Sequence, residues 1–174
     1  KSPADGATLL ITGSVVTLLP ATLGAQAVDP VSALVPVAKV ARVPLVILVH
    51  PSLKVASLAE LIALARREPG RIAYASTGIG TAAHLSAAIL TQRAGIDMIH
   101  VPYVNSGQAL KDILAGEPPV YFAFRGPIDP HVREGRLKAL AVMSGERMES
   151  WPEVPTIGEL GYREAAVDPW NGIL

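Results

Sequence analysis

Cysteine is absent from all 174 residues, which excludes disulfide bonds, cysteine-ligated metal sites and cysteine nucleophiles. The formal net charge is zero, with 15 basic and 15 acidic residues. This balance argues against a nucleic-acid partner, because proteins that bind nucleic acids present a basic surface. Aromatic residues make up only 5% of a chain that is 50% hydrophobic. The core is therefore expected to consist mainly of leucine, valine, isoleucine and alanine.

Sequence motifs for metal binding and catalysis are also missing. The four histidines are His50, His84, His100 and His131, and none lies three or four residues from another, so no metal site is expected. The chain has neither a Gly-x-x-x-x-Gly-Lys loop nor a Gly-x-Ser-x-Gly elbow, and no carboxylate pair indicates acid–base chemistry. We therefore expect no cofactor and no catalytic residue, and we expect His84 to be a packed residue or a cap partner.

One uncharged run, residues 6–28, is long enough to raise the question of a membrane span. Polar residues, glycines and a proline interrupt it, so we interpret it as a buried strand at 8–12 followed by a loop. The loop-like composition continues from residue 15 to 36, with Pro20, Pro30 and Pro36.

Strand and helix patterns alternate along the rest of the chain. Further strands are expected at 37–40, 44–50, 71–76, 98–103, 120–124 and 137–143, with an extended end at 167–174. Helices are expected to start at the caps Ser57, Thr81 and Thr156, at 105–107, and at Asp129 for a short helix ended by Gly135. This alternation predicts an α/β fold with a mostly parallel sheet.

A glycine-rich turn, Thr77–Gly80, separates the strand at 71–76 from the helix capped by Thr81. Its two glycines permit positive φ, and a helix start offers unpaired N–H groups and a favourable dipole to an anion. A capping box would place Glu or Gln at the position of His84, and no acidic residue occurs between Glu68 and Asp97. No local carboxylate is therefore available, and the helix start is expected to be open to an external anion. An ordinary turn with water on its N–H groups remains the alternative.

A dinucleotide site is a weaker interpretation of the same turn. Such a site needs an acidic residue after the next strand, and that strand ends in Pro102 and Tyr103. An α/β enzyme that binds a phosphate or nucleotide at the glycine turn remains the alternative to a binding protein.

Several segments, taken in order, resemble the substrate-binding proteins of tripartite tricarboxylate transporters, the TctC or Bug family of bacterial periplasmic receptors. The segments are 5–10, 49–53 with 57–62, 69–81, 84–85, 100–103 with Gly107, 109–116, 130–142 and 153–161. They span nearly the whole chain in register, so the resemblance is more specific than any one motif.

The resemblance implies a type II periplasmic-binding-protein fold, in which two α/β lobes close on a ligand. Residues 1–49 and 141–174 are expected to form a partial first lobe, and residues 50–140 the second lobe. Family members are longer, and their first lobe contains an additional N-terminal strand and glycine-rich loop and a further C-terminal part. The chain is therefore expected to be a fragment or a shortened homologue with an incomplete first lobe.

The resemblance also implies a function. A receptor of this family captures a small carboxylate, of dicarboxylate, tricarboxylate or acidic amino acid type, and delivers it to membrane permease subunits. We expect a monomeric periplasmic protein without enzymatic activity, whose signal peptide has been removed. The effector domain of a transcription regulator is a third interpretation, and it would need a basic DNA-binding segment that these residues do not include.

Candidate ligand contacts carry over from the family residue by residue. In the second lobe they are Ser76, Thr77, Gly78, Gly80 and Thr81, with Asn105, Ser106 and Gly107 at the neighbouring helix start. Gly13 and Ser14 are the candidates in the first lobe. Tyr103 either lines the cleft or packs, and Arg125 either pairs with a second ligand carboxylate or lies on the surface.

Overall fold

The computed structural model describes residues 5–23 and 30–174. The chain divides into two compact units, Lys1–Val43 with Pro169–Leu174 (the smaller unit) and Pro44–Asp168 (the larger unit). This division differs from the expected boundaries at 49/50 and 140/141. The strand at 45–49 pairs with strands of the larger unit on both of its sides, so residues 45–49 belong to the larger unit. Residues 143 and 167 are also joined within this unit, because Val167 N–H donates to the Met143 carbonyl.

The larger unit contains a five-stranded sheet. Its strands are β3 (Leu45–Val49), β4 (Ala73–Ser76), β5 (Ile99–Pro102), β6 (Val120–Phe124) and β7 (Lys138–Val142), in the spatial order β5-β4-β6-β3-β7. Strand β4 pairs in parallel with β5 and β6, and β3 pairs antiparallel with β6 and β7. Four strands therefore share one direction and β3 opposes them, so the expected α/β fold with a mostly parallel sheet is confirmed.

Strand β3 shows why this sheet is buried on both faces. Leu45, Ile47 and Val49 point into one apolar cluster, and Val46 and Leu48 point into the other. Because side chains alternate along a strand, a continuous apolar run supplies both faces. All five residues are buried, as the run 44–50 predicted.

Helices cover the two faces of the sheet. Helices α3 (Leu58–Arg67) and α4 (Ala82–Ala94) contribute to one cluster, and α5 (Ser106–Leu114) contributes to the other, while the short α6 is Asp129–Arg133. Ser57 caps α3 by accepting from Glu60 N–H. Thr156 and Glu159 form the hydrogen bonds of a capping box, yet 157–161 is a turn and not the expected helix. Gly161, at φ +89°, ends this segment before a second helical turn can form.

The smaller unit is a three-stranded antiparallel sheet in the order β1-β8-β2, formed by β1 (Ile11–Gly13), β2 (Ala38–Arg42) and β8 (Trp170–Ile173). Helices α1 (Val15–Leu23) and α2 (Pro30–Ala33) also belong to it.

Two expectations for the smaller unit are wrong. The segment 8–12 is not a buried strand, since Leu9 is 59% exposed and Ile11 76% exposed, and 15–36 contains two helices instead of a continuous loop. An apolar run alone does not distinguish strand from helix or buried from exposed positions. Residues 24–29 of this stretch lie outside the described residues. In the described parts of the chain, no helix is both long and apolar enough to span a bilayer.

Candidate anion-binding site

Three loops of the larger unit meet at one edge of its sheet. The segment 76–81 follows β4, 103–107 follows β5, and Arg125 follows β6. These strands are neighbours and run parallel, so all three segments lie at their carboxyl ends. In open α/β sheets this edge is where ligands bind.

The glycine turn has the backbone conformation that its sequence predicted. Gly78 has φ +117° and Gly80 φ +77°, both in the range that L-residues with a side chain rarely adopt. The Thr81 hydroxyl donates to the Gly78 carbonyl at 2.7 Å and accepts from the His84 N–H at 3.4 Å. Thr81 therefore caps α4 and closes the turn on the helix at the same time.

Two N–H groups of the turn have partners within the protein. Ser76 Oγ accepts from Gly78 N–H, and His84 Nδ1 accepts from Gly80 N–H, both at 3.2 Å. The expectation of an open helix start is therefore corrected for these donors. His84 is confirmed as a cap partner, because its N–H donates to the cap Thr81, and its ring accepts from the residue before the cap.

The N–H groups of Ala82 and Ala83 lie at the start of α4, where Ala82 is partly exposed and Ala83 is fully buried. Among the described residues, no protein atom accepts from either group, and the first turn of α4 contains no acidic residue. Helix α4 is 13 residues long, so its dipole also favours negative charge at this end. Thr77 Oγ1 lies 3.3 Å from Thr81 Oγ1 and adds a hydroxyl beside these donors.

Ser76 differs from its expected role. Its side chain is fully buried, and its hydroxyl lies 2.7 Å from His100 Nε2. The Ser76 hydroxyl therefore bonds the Gly78 N–H from the buried side of the turn. The hydroxyls of the partly exposed Thr77 and Thr81 face the helix start.

The neighbouring helix start is more fully capped. Asn105 Oδ1 accepts from Gly107 N–H at 2.8 Å and from Gln108 N–H at 3.1 Å. The Gly107 N–H is therefore already used, although Asn105, Ser106 and Gly107 are all exposed. This segment offers polar atoms at the same edge without a set of open amides.

Two further candidates have partners within the larger unit. The Tyr103 hydroxyl donates to Asp112 Oδ2 at 2.9 Å, which gives this side chain a packing role and raises its pKa, chiefly through burial. Arg125 Nε and one Nη each donate to Asp129 Oδ1 at 3.2 Å, and its guanidinium lies 5.5 Å from the Trp151 ring centre. Arg125 is therefore paired with a carboxylate of its own chain.

The last two candidates, Gly13 and Ser14, lie in the smaller unit. Gly13 ends β1 opposite Asn171, and Ser14 N–H donates to the Trp170 carbonyl at 2.8 Å. The Ser14 carbonyl accepts from Thr17 at the start of α1. Both residues therefore join a strand to a helix, as the glycine turn does.

Sequence reasoning missed the part played by His100. Its ring stacks on His84, with ring centres 4.4 Å apart, and on Tyr74 at 4.9 Å. Burial lowers the pKa of His100, and the neighbouring His84 lowers it further. The parallel pairing of Tyr74 with His100 is the observation that brings these rings together, and it is not visible in the sequence.

A concave region of about 450 Å³ lies elsewhere on the larger unit, lined by Pro51, Val55, Leu137 and Val154 among others. Its lining is mainly apolar, and it lies near the amino end of β7. The anion-binding candidate stays at the glycine turn because the unpaired N–H groups at the start of α4 follow it.

The model of the family described as tripartite tricarboxylate transporter family receptor, TctC, matches residues 1–174. The chain belongs to this family. Among curated TctC relatives, protein BugT of Bordetella pertussis is 37% identical over 179 residues. That alignment covers all of this chain and 54% of BugT, so the chain spans about half the length of that relative.

Solved TctC-like structures agree with the fold. One is a Rhodopseudomonas palustris protein with adipate, at 29% identity and a TM-score of 0.84. Another is MatC from the same species with bound malate, at 25% identity and a TM-score of 0.84. Each comparison covers 99% of this chain, and they cover 58% of the adipate-bound chain and 59% of MatC. The expected periplasmic-binding-protein fold is thereby confirmed.

Proposed function

We propose that this chain contributes the carboxylate-binding site of a periplasmic receptor, and that the whole receptor captures a small dicarboxylate or related acid for a tripartite tricarboxylate transporter. The observation that carries the proposal is the N–H group of the partly exposed Ala82, which, like that of the buried Ala83 next to it, has no acceptor in the described chain. A ligand carboxylate there would receive charge-assisted hydrogen bonds.

The surrounding residues support an anion at this position. The Thr81 hydroxyl proton is used by the Gly78 carbonyl, whereas the Thr77 hydroxyl, 3.3 Å from Thr81 Oγ1, can turn towards an anion, and α4 presents its positive end. Adipate and malate, the ligands of the two solved neighbours, are both dicarboxylates. A small dicarboxylate is therefore the ligand class that we propose for this chain.

Binding without chemistry is the mode of action that we propose. The residues at the carboxyl edge supply hydrogen-bond donors, and the family is named for receptors. The membrane permease subunits of the transporter are the proposed partners, and the periplasm is the proposed compartment. We propose that the receptor acts as a monomer.

Titration calorimetry with adipate, malate, citrate and aspartate tests the proposal. We expect at least one acid to bind with a dissociation constant below about 1 mM, which corresponds to about 4 kcal/mol of binding free energy. The same titrations with inorganic phosphate and ATP address the enzyme alternative. Binding of phosphate or ATP, with no binding of the acids, would reject the receptor proposal.

A further inference from the structure

Two histidine rings lie directly behind the glycine turn. His84 is on α4 and His100 is on β5, and their rings stack at 4.4 Å with an interplanar angle of 21°. His100 continues the stack onto Tyr74 of β4, which meets the edge of Phe122 on β6 at 5.4 Å. The two histidines, called here the histidine pair, therefore connect the turn to the aromatic residues of the core.

Each ring of the histidine pair holds one glycine of the turn. His84 Nδ1 accepts from Gly80 N–H at 3.2 Å. His100 Nε2 lies 2.7 Å from Ser76 Oγ, and that hydroxyl accepts from Gly78 N–H. The positive-φ conformation of the turn is thus fixed by one direct bond and one bond through a buried hydroxyl.

The bond to His84 exists in only one protonation state. An imidazole nitrogen accepts a hydrogen bond only through its lone pair, so Nδ1 must be unprotonated and the ring neutral. If Nδ1 carried a proton, two N–H donors would face each other and the hydrogen bond from Gly80 would be lost. The bond at His100 differs, because Ser76 Oγ can either donate to Nε2 or accept from it.

The surroundings of the histidine pair are aromatic and lack an acidic partner among the described residues. Each ring faces the other and His100 faces Tyr74, and in the described residues no carboxylate lies within salt-bridge distance of either ring. The sequence has no acidic residue from 69 to 96. Two protonated rings in stacking contact would repel each other, so the arrangement does not suit a doubly protonated pair.

We propose that the histidine pair is a proton-sensitive support that positions the anion-binding turn. The neutral rings hold Gly78 and Gly80 in place, and protonation of His84 releases the Gly80 N–H and loosens the turn ahead of α4. For its effect on a ligand the inference rests on the proposed function, whereas the support itself is a property of the ligand-free chain.

Nuclear magnetic resonance of the ligand-free chain tests the support directly. We expect the Gly80 amide resonance to shift with the same midpoint pH as the ring resonances of His84. When the pH is lowered through this midpoint, the protection of the Gly80 amide against hydrogen exchange, corrected for intrinsic exchange, should fall by about three- to tenfold. This decrease corresponds to the loss of one hydrogen bond. The Gly95 amide, which bonds at the other end of α4, is the internal control and should not change.

Three substitutions distinguish the support from ordinary packing. In His84→Asn the amide oxygen can accept from Gly80 N–H but cannot ionise, so the Gly80 amide should stay protected at every pH. His84→Leu keeps an apolar side chain without an acceptor, so protection should be low throughout. His131→Asn, on α6, should reproduce the parent chain. If His84→Leu does not fold, the comparison of His84→Asn with the parent still decides the question.

A Gly80 amide that stays unchanged while both rings titrate would overturn the proposal. The same conclusion follows if His84→Asn shows the pH dependence of the parent. Calorimetry with adipate on the parent and on His84→Asn then tests the consequence for the ligand, and a pH dependence of affinity found only in the parent supports it. Absence of adipate binding rejects the proposed function alone, because the resonance measurements contain no ligand.

Discussion

His84 Nδ1 accepts a hydrogen bond at 3.2 Å from the N–H of Gly80, four residues earlier in the chain. A neutral histidine thereby stands at the capping-box position of glutamate, but it bonds the N–H of the residue before the cap instead of the N–H of the cap residue Thr81. The difference in charge matters for function. A glutamate would place a negative charge at the helix start, whereas a neutral imidazole leaves the field there favourable to an external anion.

A carboxylate introduced at the cap should compete with the ligand. Asp and Asn are both strong N-cap residues, so Thr81→Asp and Thr81→Asn should both fold. We expect Thr81→Asp to weaken adipate binding by about tenfold or more, since like charges a few ångströms apart repel by about 1–4 kcal/mol. Thr81→Asn, the neutral control, should stay within about threefold. Equal calorimetric affinities for the two variants would move the anion site elsewhere.

The conformation of Gly78 should resist a side chain. Its φ of +117° is strained for any residue with Cβ, although an added Cβ would meet only ordinary contacts at 3.8 Å. We expect Gly78→Ala to lower the free energy of unfolding by about 1–3 kcal/mol. Gly126→Ala is the control, because Gly126 is not at positive φ and a Cβ there meets nothing within 4 Å. Urea denaturation of both variants measures the difference, and equal stabilities would contradict the prediction.

Stability should depend on the protonation of His100. Burial, with a contribution from His84, holds its pKa below the ordinary value of 6.5. The unfolded chain therefore binds a proton more readily, so the free energy of unfolding falls as the pH drops below 6.5 towards the lowered pKa. Above 6.5 this loss is absent, because both states are neutral at this residue.

The substitution His100→Gln isolates this component, since the glutamine amide can bond Ser76 but does not titrate. Urea denaturation at about pH 7.5 and about pH 5.0 should show a smaller decrease in stability for His100→Gln than for the parent chain. His131→Gln, which replaces a histidine outside the ring stack, is the comparison variant. An identical pH dependence in all three proteins would refute the prediction.

Acid should weaken the contacts of Asp129. Desolvation opposes its ionisation, but hydrogen bonds from Arg125 and Trp151, with the charges of Arg125 and Arg133, outweigh it and lower its pKa below 3.8. The stabilisation is present above 3.8 and is lost as the pH falls through the lowered pKa.

We therefore expect Asp129→Asn to be less stable than the parent at neutral pH, with a difference that shrinks in acid. Trp151 fluorescence during urea denaturation reports the transition, because its Nε1 donates to Asp129 at 2.8 Å. Glu134→Gln, which removes an exposed carboxylate paired with Arg136, should differ little from the parent at any pH. A stability gap for Asp129→Asn that stayed constant in acid would rule out the ion pair as its cause.

Most elements of the larger unit could be predicted because their signals are local. A continuous apolar run fixed β3, Ser57 and Thr81 fixed two helix starts, and Gly95 in left-handed conformation ended α4 where expected. The smaller unit was predicted less well. Its apolar run at 9–11 is largely exposed, and α1 contains Pro20 within a helix, so neither period nor composition identified these elements.

The sequence by itself determined the α/β class, the positive-φ glycines of the turn, the Thr81 cap and the absence of a local acid at the start of α4. These depend on residue types and spacings within a few positions of the chain. Only the tertiary structure decided which donors are open. Ser76 and His100 are 24 residues apart and meet through the parallel pairing of β4 with β5. A hydrogen bond between distant residues depends on sheet register, and register is set by packing of the whole domain.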